Sequence, residues 1–445
     1  MIRWLVRIVG TVLVLVLGGV LVVRMYGARR LAAAEREFNT KFGDVGGYAS
    51  AKVPDEENAA IYIRAGAEAV VLLGNDKPRA GDLSMVAPRA WSEDDRAFLR
   101  GLLARNAAAL DLLHRAAELK RSSFGLVDGA DLNEELKDKL PLLKILWAQR
   151  LLLMDADAAL HDGDRARFLT DARTMSTLAT AMDRESPMIS LLIGVAAEKI
   201  FLSAVDQAVE DPGSDLAMLT ALRGSLMDID LRAAWRRTNG AEERAIHERV
   251  PRSAARPPDA GDSAGGWLGR VEDFVFGDLL HCEVLNLRRD AVAIVDQPYG
   301  SNPPWVSRGL ATPRTMFGAL EKVLFPSLAN AAGRVQTALS QRNLAWVALA
   351  LRAQALTSGS YPASLVGAVE DPSRPDPFVG KPLAYVRHAD GSAEVGLPDG
   401  AALADKLMAP VKNWSPFIWK LPAPPQSGGE SGPVSGSPSP TPGPV

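Results

Sequence analysis

Five histidines and a single cysteine are the strongest metal ligands and nucleophiles in this 445-residue chain. The histidines stand at positions 114, 161, 247, 281 and 388. No two of them have the H-E-x-x-H spacing that sets two imidazoles on one helix face around zinc. Glu243 and His247 are one helical turn apart. That is half of a carboxylate–histidine metal site, and equally the spacing of a surface hydrogen bond. His281, Cys282 and Glu283 offer three ligand types in a row. Consecutive residues on a helix point in different directions, so these three do not converge. Asp155, Asp157, Asp162, Asp164 and Asp171 gather around a turn at residues 161–164. Asp164 fits a helix N-cap, and Asp171 is expected to face Arg167 on its own helix. Without a supporting shell these carboxylates offer little acid–base chemistry.

Other reaction classes leave no trace. There is no phosphate-binding glycine loop and no G-x-S-x-G elbow. Cys282, being alone, cannot close a disulfide or build a thiolate zinc cluster, and reads as a small buried hydrophobe. The formal charge of −3 gives no field for nucleic acid. Residues 229–256 are richer in arginine (Arg232, Arg236, Arg237, Arg244, Arg249, Arg252, Arg256), but Glu242, Glu243 and Glu248 interleave. The expectation is a solvated helix laced with ion pairs. No catalytic residue and no cofactor is assigned, no nucleic-acid partner is expected, and an enzyme with an unrecognised site in a helical cavity is the minority reading.

The elements that would position such groups are mostly helices. Ile8 to Val23 carries no charge, and Trp4 to Val23 as a helix reaches about 30 Å, the thickness of a bilayer core. Arg7 can snorkel and Trp4 suits the interface. A cleaved signal peptide is the alternative, with Ala32-Ala33-Ala34 as its site, but Arg24, Arg29 and Arg30 intervene. The expectation is an uncleaved anchor contacting the membrane through residues 4–23. Arginines flank both ends, so the positive-inside rule hardly discriminates.

Ser92 and Asp95 form a capping-box pattern, with Leu99, Leu102, Leu103, Leu110 and Leu113 on one stripe. Leu142, Ile145, Leu146, Leu153, Ala156 and Leu160 share a helix face, as do Phe168, Ala172, Met175, Leu178, Ala179 and Met182. The segment after Pro187 is apolar on nearly all sides at first, as in a helix buried among others. The hairpin at Gly163-Asp164 resembles a tetratricopeptide-like helix pair over about one repeat, and a generic antiparallel pair serves as well. Further helices are expected over 267–287 and over 314–357, the latter broken at Pro326.

The C-terminal part differs. A helix ends at Ser358-Gly359, Tyr361-Pro362 turns the chain, and "DPFVGKPLAY" at 376–385 leads into a hairpin signalled by Asp390-Gly391. Phe378 and Tyr385 are expected to plug that hairpin onto the helix. Gly359, Tyr361, Pro362, Asp376, Pro377, Phe378, Gly380, Pro382, Tyr385, Gly396, Asp399 and Gly400 resemble the C-terminal module of type II secretion pseudopilins over about 60 residues. The prepilin cleavage pattern and the acidic calcium loop of that family are missing. The resemblance implies a borrowed fold element, a possible place in a secretion or pilus system, and Asp390 and Asp399 as calcium candidates. It also favours an extracytoplasmic bulk. The layout further resembles anchored helical proteins of bacteria.

The resulting expectation is a mainly α protein: a transmembrane anchor over 1–30, a helical, tetratricopeptide-like domain over 31–250, a flexible loop over 251–266, and a helical continuation over 267–340. A small α+β pseudopilin-like hairpin module follows over 341–421, then a disordered tail over 422–445. Its place is the inner membrane, single-pass, with the bulk periplasmic or extracytoplasmic. Its work is non-catalytic binding or scaffolding with envelope proteins.

Overall fold

The computed structural model describes residues 2–42, 53–74, 76–83, 90–125, 142–185, 187–227, 230–249, 266–298, 318–367, 369, 373, 375–399 and 417–424. They are mainly helical. The first helix, α1 (Ile2–Phe42), is one unbroken rod. It is long and apolar enough to cross a membrane, and Val9, Val12, Leu13, Val14, Leu15, Val16 and Leu17 are all exposed. One side of its later turns is covered. Gly27, Ala34 and Phe38 are buried, one or two turns apart on the same side.

What covers that side is α11 (Gly266–Ile294), which contributes Cys282, Leu285 and Val292 to a small shared core. A Cβ on Gly27 would lie 3.2 Å from both Asp278 and Leu279, so the backbones approach closely there. Further along, Arg289 pairs with Glu37 at 2.9 Å. Residue numbers rise together on both helices, so the two run parallel. The expectation that Cys282 is a buried hydrophobe holds.

The main body begins with α2 (Ala59–Ala69), α3 (Asp76–Leu83), α4 (Glu93–Arg105) and α5 (Ala107–Ala116). Ser92 and Asp95 make the expected reciprocal capping box. The five leucines of the stripe are buried. The helix that carries them is divided at Asn106, however. That side chain accepts from Val71 N at 2.7 Å and donates to Val71 O at 3.0 Å and to Leu102 O at 2.9 Å, tying the α4–α5 joint to the end of α2.

Next come α6 (Leu142–His161), α7 (Arg165–Asp183), α8 (Met188–Glu210) and α9 (Leu216–Met227). The α6–α7 turn uses Gly163 at φ +74, a conformation that costs a side chain dearly, and Asp164 caps α7 through Arg167 N at 3.1 Å. Residues 151–157 of α6 are buried without interruption, so this helix lies inside the bundle and not along its edge. Gln149 explains how a central helix satisfies its neighbours: its Nε2 donates to Met175 O at 3.1 Å and Ala197 O at 3.0 Å, stitching α6 to α7 and α8. The helix α8 is also apolar and long enough to span a membrane, but it is 61% buried and belongs to the core, as its all-round apolar pattern suggested.

A second layer consists of α10 (Leu231–Arg249), α11 and α12 (Gly318–Ser358). Trp235 is fully buried here and donates its indole N–H to Ala291 O at 2.8 Å. The α12 helix continues through Pro326 without the expected break; a proline removes one hydrogen bond from a helix and does not always end it. The described arginines of α10, Arg232, Arg236 and Arg237, are half-buried and reach neighbouring elements, and the side chains of Arg244 and Arg249 lie outside the described residues. Arg236 pairs with Asp296 at 2.6 Å, Arg232 donates to Val295 O at 3.2 Å, and Arg237 bonds Asp183 O.

Among the described residues three strands follow: β1 (Ala384–Arg387), β2 (Ala393–Gly396) and β3 (Ile418–Leu421), antiparallel in the order β1-β2-β3. The expected two-stranded hairpin is thus a sheet. Tyr385, Val395 and Trp419 lie opposite one another across the register, and Val395 and Trp419 are buried against the same core as α12. Residues 422–424, assigned above to a disordered tail, follow β3 in ordered positions. Pro422 O accepts from Tyr361 Oη at 2.9 Å and Arg352 Nη1 at 3.0 Å. Residues 425–445, the loop 251–265, and Gly400 lie outside the described residues.

Candidate functional site

Chemistry-bearing side chains converge where α5, α6 and α7 meet. His114 comes from the last turn of α5, Asp155 from the middle of α6, and Asp171 from the second turn of α7. Their ligand atoms all lie within 4.8 Å of one another. Among the described residues this is the group of His, Cys, Asp and Glu side chains that could share a metal ion. His114 Nε2 sits 2.7 Å from Asp171 Oδ1. Asp155 Oδ1 pairs with Arg167 Nη2. Asp171 is fully buried, and its second oxygen, Oδ2, has no hydrogen-bond partner. The His114 side chain is 27% exposed and that of Arg167 39%, so one edge of the cluster meets solvent.

The electrostatics follow from this geometry. Burial pushes the Asp171 carboxyl up to about 7, and Asp155 beside it adds to the rise, while the His114 bond opposes it. His114 is raised in turn, first by its bond to Asp171. The two groups hold one proton between them more tightly than either would in water. Arg167 is raised by its bond to Asp155. Arg167 thus acts on Asp171 through space, as the helix spacing suggested, but the direct bonds go elsewhere. Arg167 reaches across the turn to α6, and the partner of Asp171 comes from α5, some 57 residues earlier. Spacing within one helix could not reveal that.

A second buried polar set lies between α7, α8, α10 and α12. Arg342 Nε donates to Glu198 Oε1 at 2.6 Å, and Glu198 is fully buried. Asp183, at the end of α7, has neither carboxylate oxygen bonded. Burial first, and then the neighbouring Glu198, hold it well above the usual carboxylate range. It lies against α8 at Gly194, where a Cβ would collide with Asp183 Oδ1. Arg288 links this region to α11 through Asn239 at 3.2 Å and Glu242 at 2.7 Å. This set joins helices and faces no solvent edge at Asp183 or Glu198.

The C-terminal motif residues have structural work. Asp376 is fully buried and accepts from Phe378 N at 2.8 Å and Val379 N at 3.3 Å, while the Ser340 hydroxyl of α12 lies 2.9 Å from both its oxygens. Gly380 adopts φ +68 to close that turn. Phe378 stacks on Phe417 with centroids 5.7 Å apart, and Tyr385 Oη bonds Pro362 O at 2.8 Å. Pro377 falls inside the Asp376 turn, and Pro382 is exposed just before β1. Both aromatic plugs thus dock the loop and sheet, Phe378 buried and Tyr385 half-buried.

The remaining candidates stand apart from these clusters. Asp390 is exposed and caps its own turn, accepting from Ser392 N at 2.9 Å and Ser392 Oγ at 2.6 Å. Asp399 is exposed at φ +63. His281 and Cys282 are buried on α11 and Glu283 half-buried, and they do not form a ligand group. Glu243 and His247 lie on α10, with their side chains outside the described residues. The chain matches no protein-family model, no curated protein and no solved structure.

Proposed function

We propose that the chain is a single-pass protein of a bacterial inner membrane whose helical body, on the extracytoplasmic side, binds or scaffolds other envelope proteins without catalysing a reaction. One observation carries the reading. The exposed apolar half of α1 runs without a break into a half that is packed on α11. A leader meant for removal after Ala34 has no reason to supply buried contacts such as Gly27 and Ala34 to the folded body. The apolar stretch then serves as the tether, and the body stands at a fixed height above the bilayer. The buried polar groups of the second layer join helices to one another, which suits a rigid scaffold.

Deletion of residues 2–24 tests this. The truncated chain should keep its thermal midpoint, since those residues add little to the core, and should leave the membrane fraction. It should also lose its crosslinks to envelope proteins while the full-length chain keeps them. A full-length chain that turns over members of a small-molecule panel and crosslinks to nothing would refute the reading.

A second reading, membership of a secretion or pilus system, is favoured by the C-terminal unit. The described residues that resemble the pseudopilin ending fall within one helix-plus-sheet unit that includes the Asp376 turn. A deletion strain with normal secretion and piliation, together with no calcium uptake that depends on Asp390 or Asp399, would count against it.

A further inference from the structure

We propose that His114, Asp155 and Asp171 form a binding site for a divalent transition-metal ion, and that Arg167 occupies the cation's place when the metal is absent. The three ligands come from three different helices and converge within 4.8 Å. Two carboxylates this close, 3% and 0% exposed, demand positive charge. Arg167 pairs directly with Asp155 and reaches Asp171 only through space. His114 bonds one oxygen of Asp171, which leaves Asp171 Oδ2 buried with no partner. A fully buried carboxylate oxygen with no donor is a lone pair with nothing to fill it, and a cation held between the two carboxylates would fill it.

The donor set selects the kind of ion. Magnesium and calcium favour all-oxygen surroundings, whereas imidazole with carboxylates suits zinc and its first-row neighbours. Zinc holds nitrogen and oxygen at about 2.0–2.2 Å in a tetrahedron, so two ligand atoms on one ion are roughly 3.4 Å apart. The widest pair in the cluster must therefore close by about an ångström, and the 2.7 Å contact between His114 and Asp171 must open by somewhat less. Both moves are within side-chain reach. The displaced guanidinium has somewhere to go, because Arg167 is partly exposed and Asp162 lies near it on the turn. Water at the open edge would complete the coordination. Bound there, the ion pins α5, α6 and α7 together as a structural staple.

The site is independent of membrane attachment and so of the function proposed above. The test uses the untagged full-length chain in detergent micelles, stripped with chelator, titrated with Zn2+ by calorimetry, and with Co2+ followed by its visible absorption. One equivalent should bind. Asp171→Asn and His114→Gln should each abolish that equivalent while far-UV circular dichroism stays native. Arg167→Gln, which removes the competing charge, should tighten binding by roughly tenfold. The proposal is overturned if neither the wild type nor Arg167→Gln takes up metal, or if uptake survives both ligand substitutions. Should Asp171→Asn fail to fold, the opposite responses of His114→Gln and Arg167→Gln still decide the matter.

Discussion

At the residue scale, the informative groups are buried charges that the fold tolerates. Asp157 lies inside α6, 3% exposed, with Oδ1 unbonded, and burial holds its carboxyl well above the usual range. The unfolded chain releases that proton near pH 4, while the native chain keeps it. Unfolding therefore releases a proton at neutral pH, and raising the pH above about 4 weakens the fold through this group. Asp157→Asn should raise the thermal midpoint at pH 7, by about 1–3 kcal/mol of stability, and change little at pH 3. Calorimetric melts at the two pH values check this; an equal effect at both would show that Asp157 is not held protonated. Burial raises the Asp376 carboxyl too, but unlike Asp157 it is supplied with donors that oppose the rise. Asp376→Ala should strip the turn of its acceptor and destabilise the chain by about 2–3 kcal/mol, measured as a shift in the urea midpoint.

At the element scale, the helices were legible where an apolar stripe repeats on one face. The stripe of α7 is buried residue for residue: Phe168, Ala172, Met175, Leu178, Ala179 and Met182. The Ser92–Asp95 cap and the Gly163-Asp164 turn were readable because each is a local device, complete within four residues. Several features depend on distant partners and escaped for that reason. The break at Asn106 is stabilised by Val71, 35 residues away. The third strand, β3, pairs with β2 across a long connection, and "FIWKL" alone is too short to announce a strand. The His114–Asp155–Asp171 cluster needs three helices at once; the sequence supplied the two aspartates at the turn but gave no reason to join His114 to them. The parallel pairing of α1 with α11 likewise joins residues about 250 positions apart. It yields a direct expectation. Phe38→Ala should cost about 3 kcal/mol and expose Cys282, whose thiol burial keeps protonated, so that a maleimide reagent labels it many times faster. Unchanged labelling would show that α1 does not cover α11 in solution.

At the scale of the whole molecule, the fold divides into an exposed apolar half-helix and a body whose main core is shared by the earlier helices, the later part of α12 and the sheet, with smaller clusters around α10 and α11. Tyr361, Phe378, Val395 and Trp419 belong to the same buried cluster as Ile63, Leu102 and Phe168. The C-terminal unit is thus built into the helical body and stabilised by it, as a small sheet must be. In the function proposed above, a body on a continuous helix would hold its binding surfaces at a fixed distance from the bilayer. The measurement that tests this most directly is protease digestion of spheroplasts after a carbonate wash, with the released and retained fragments identified by mass. The account predicts that the body is cleaved from outside while a fragment containing residues 4–23 stays in the membrane pellet. Recovery of the mature chain as a soluble protein beginning after Ala34, or full protection of the body in intact spheroplasts, would contradict it.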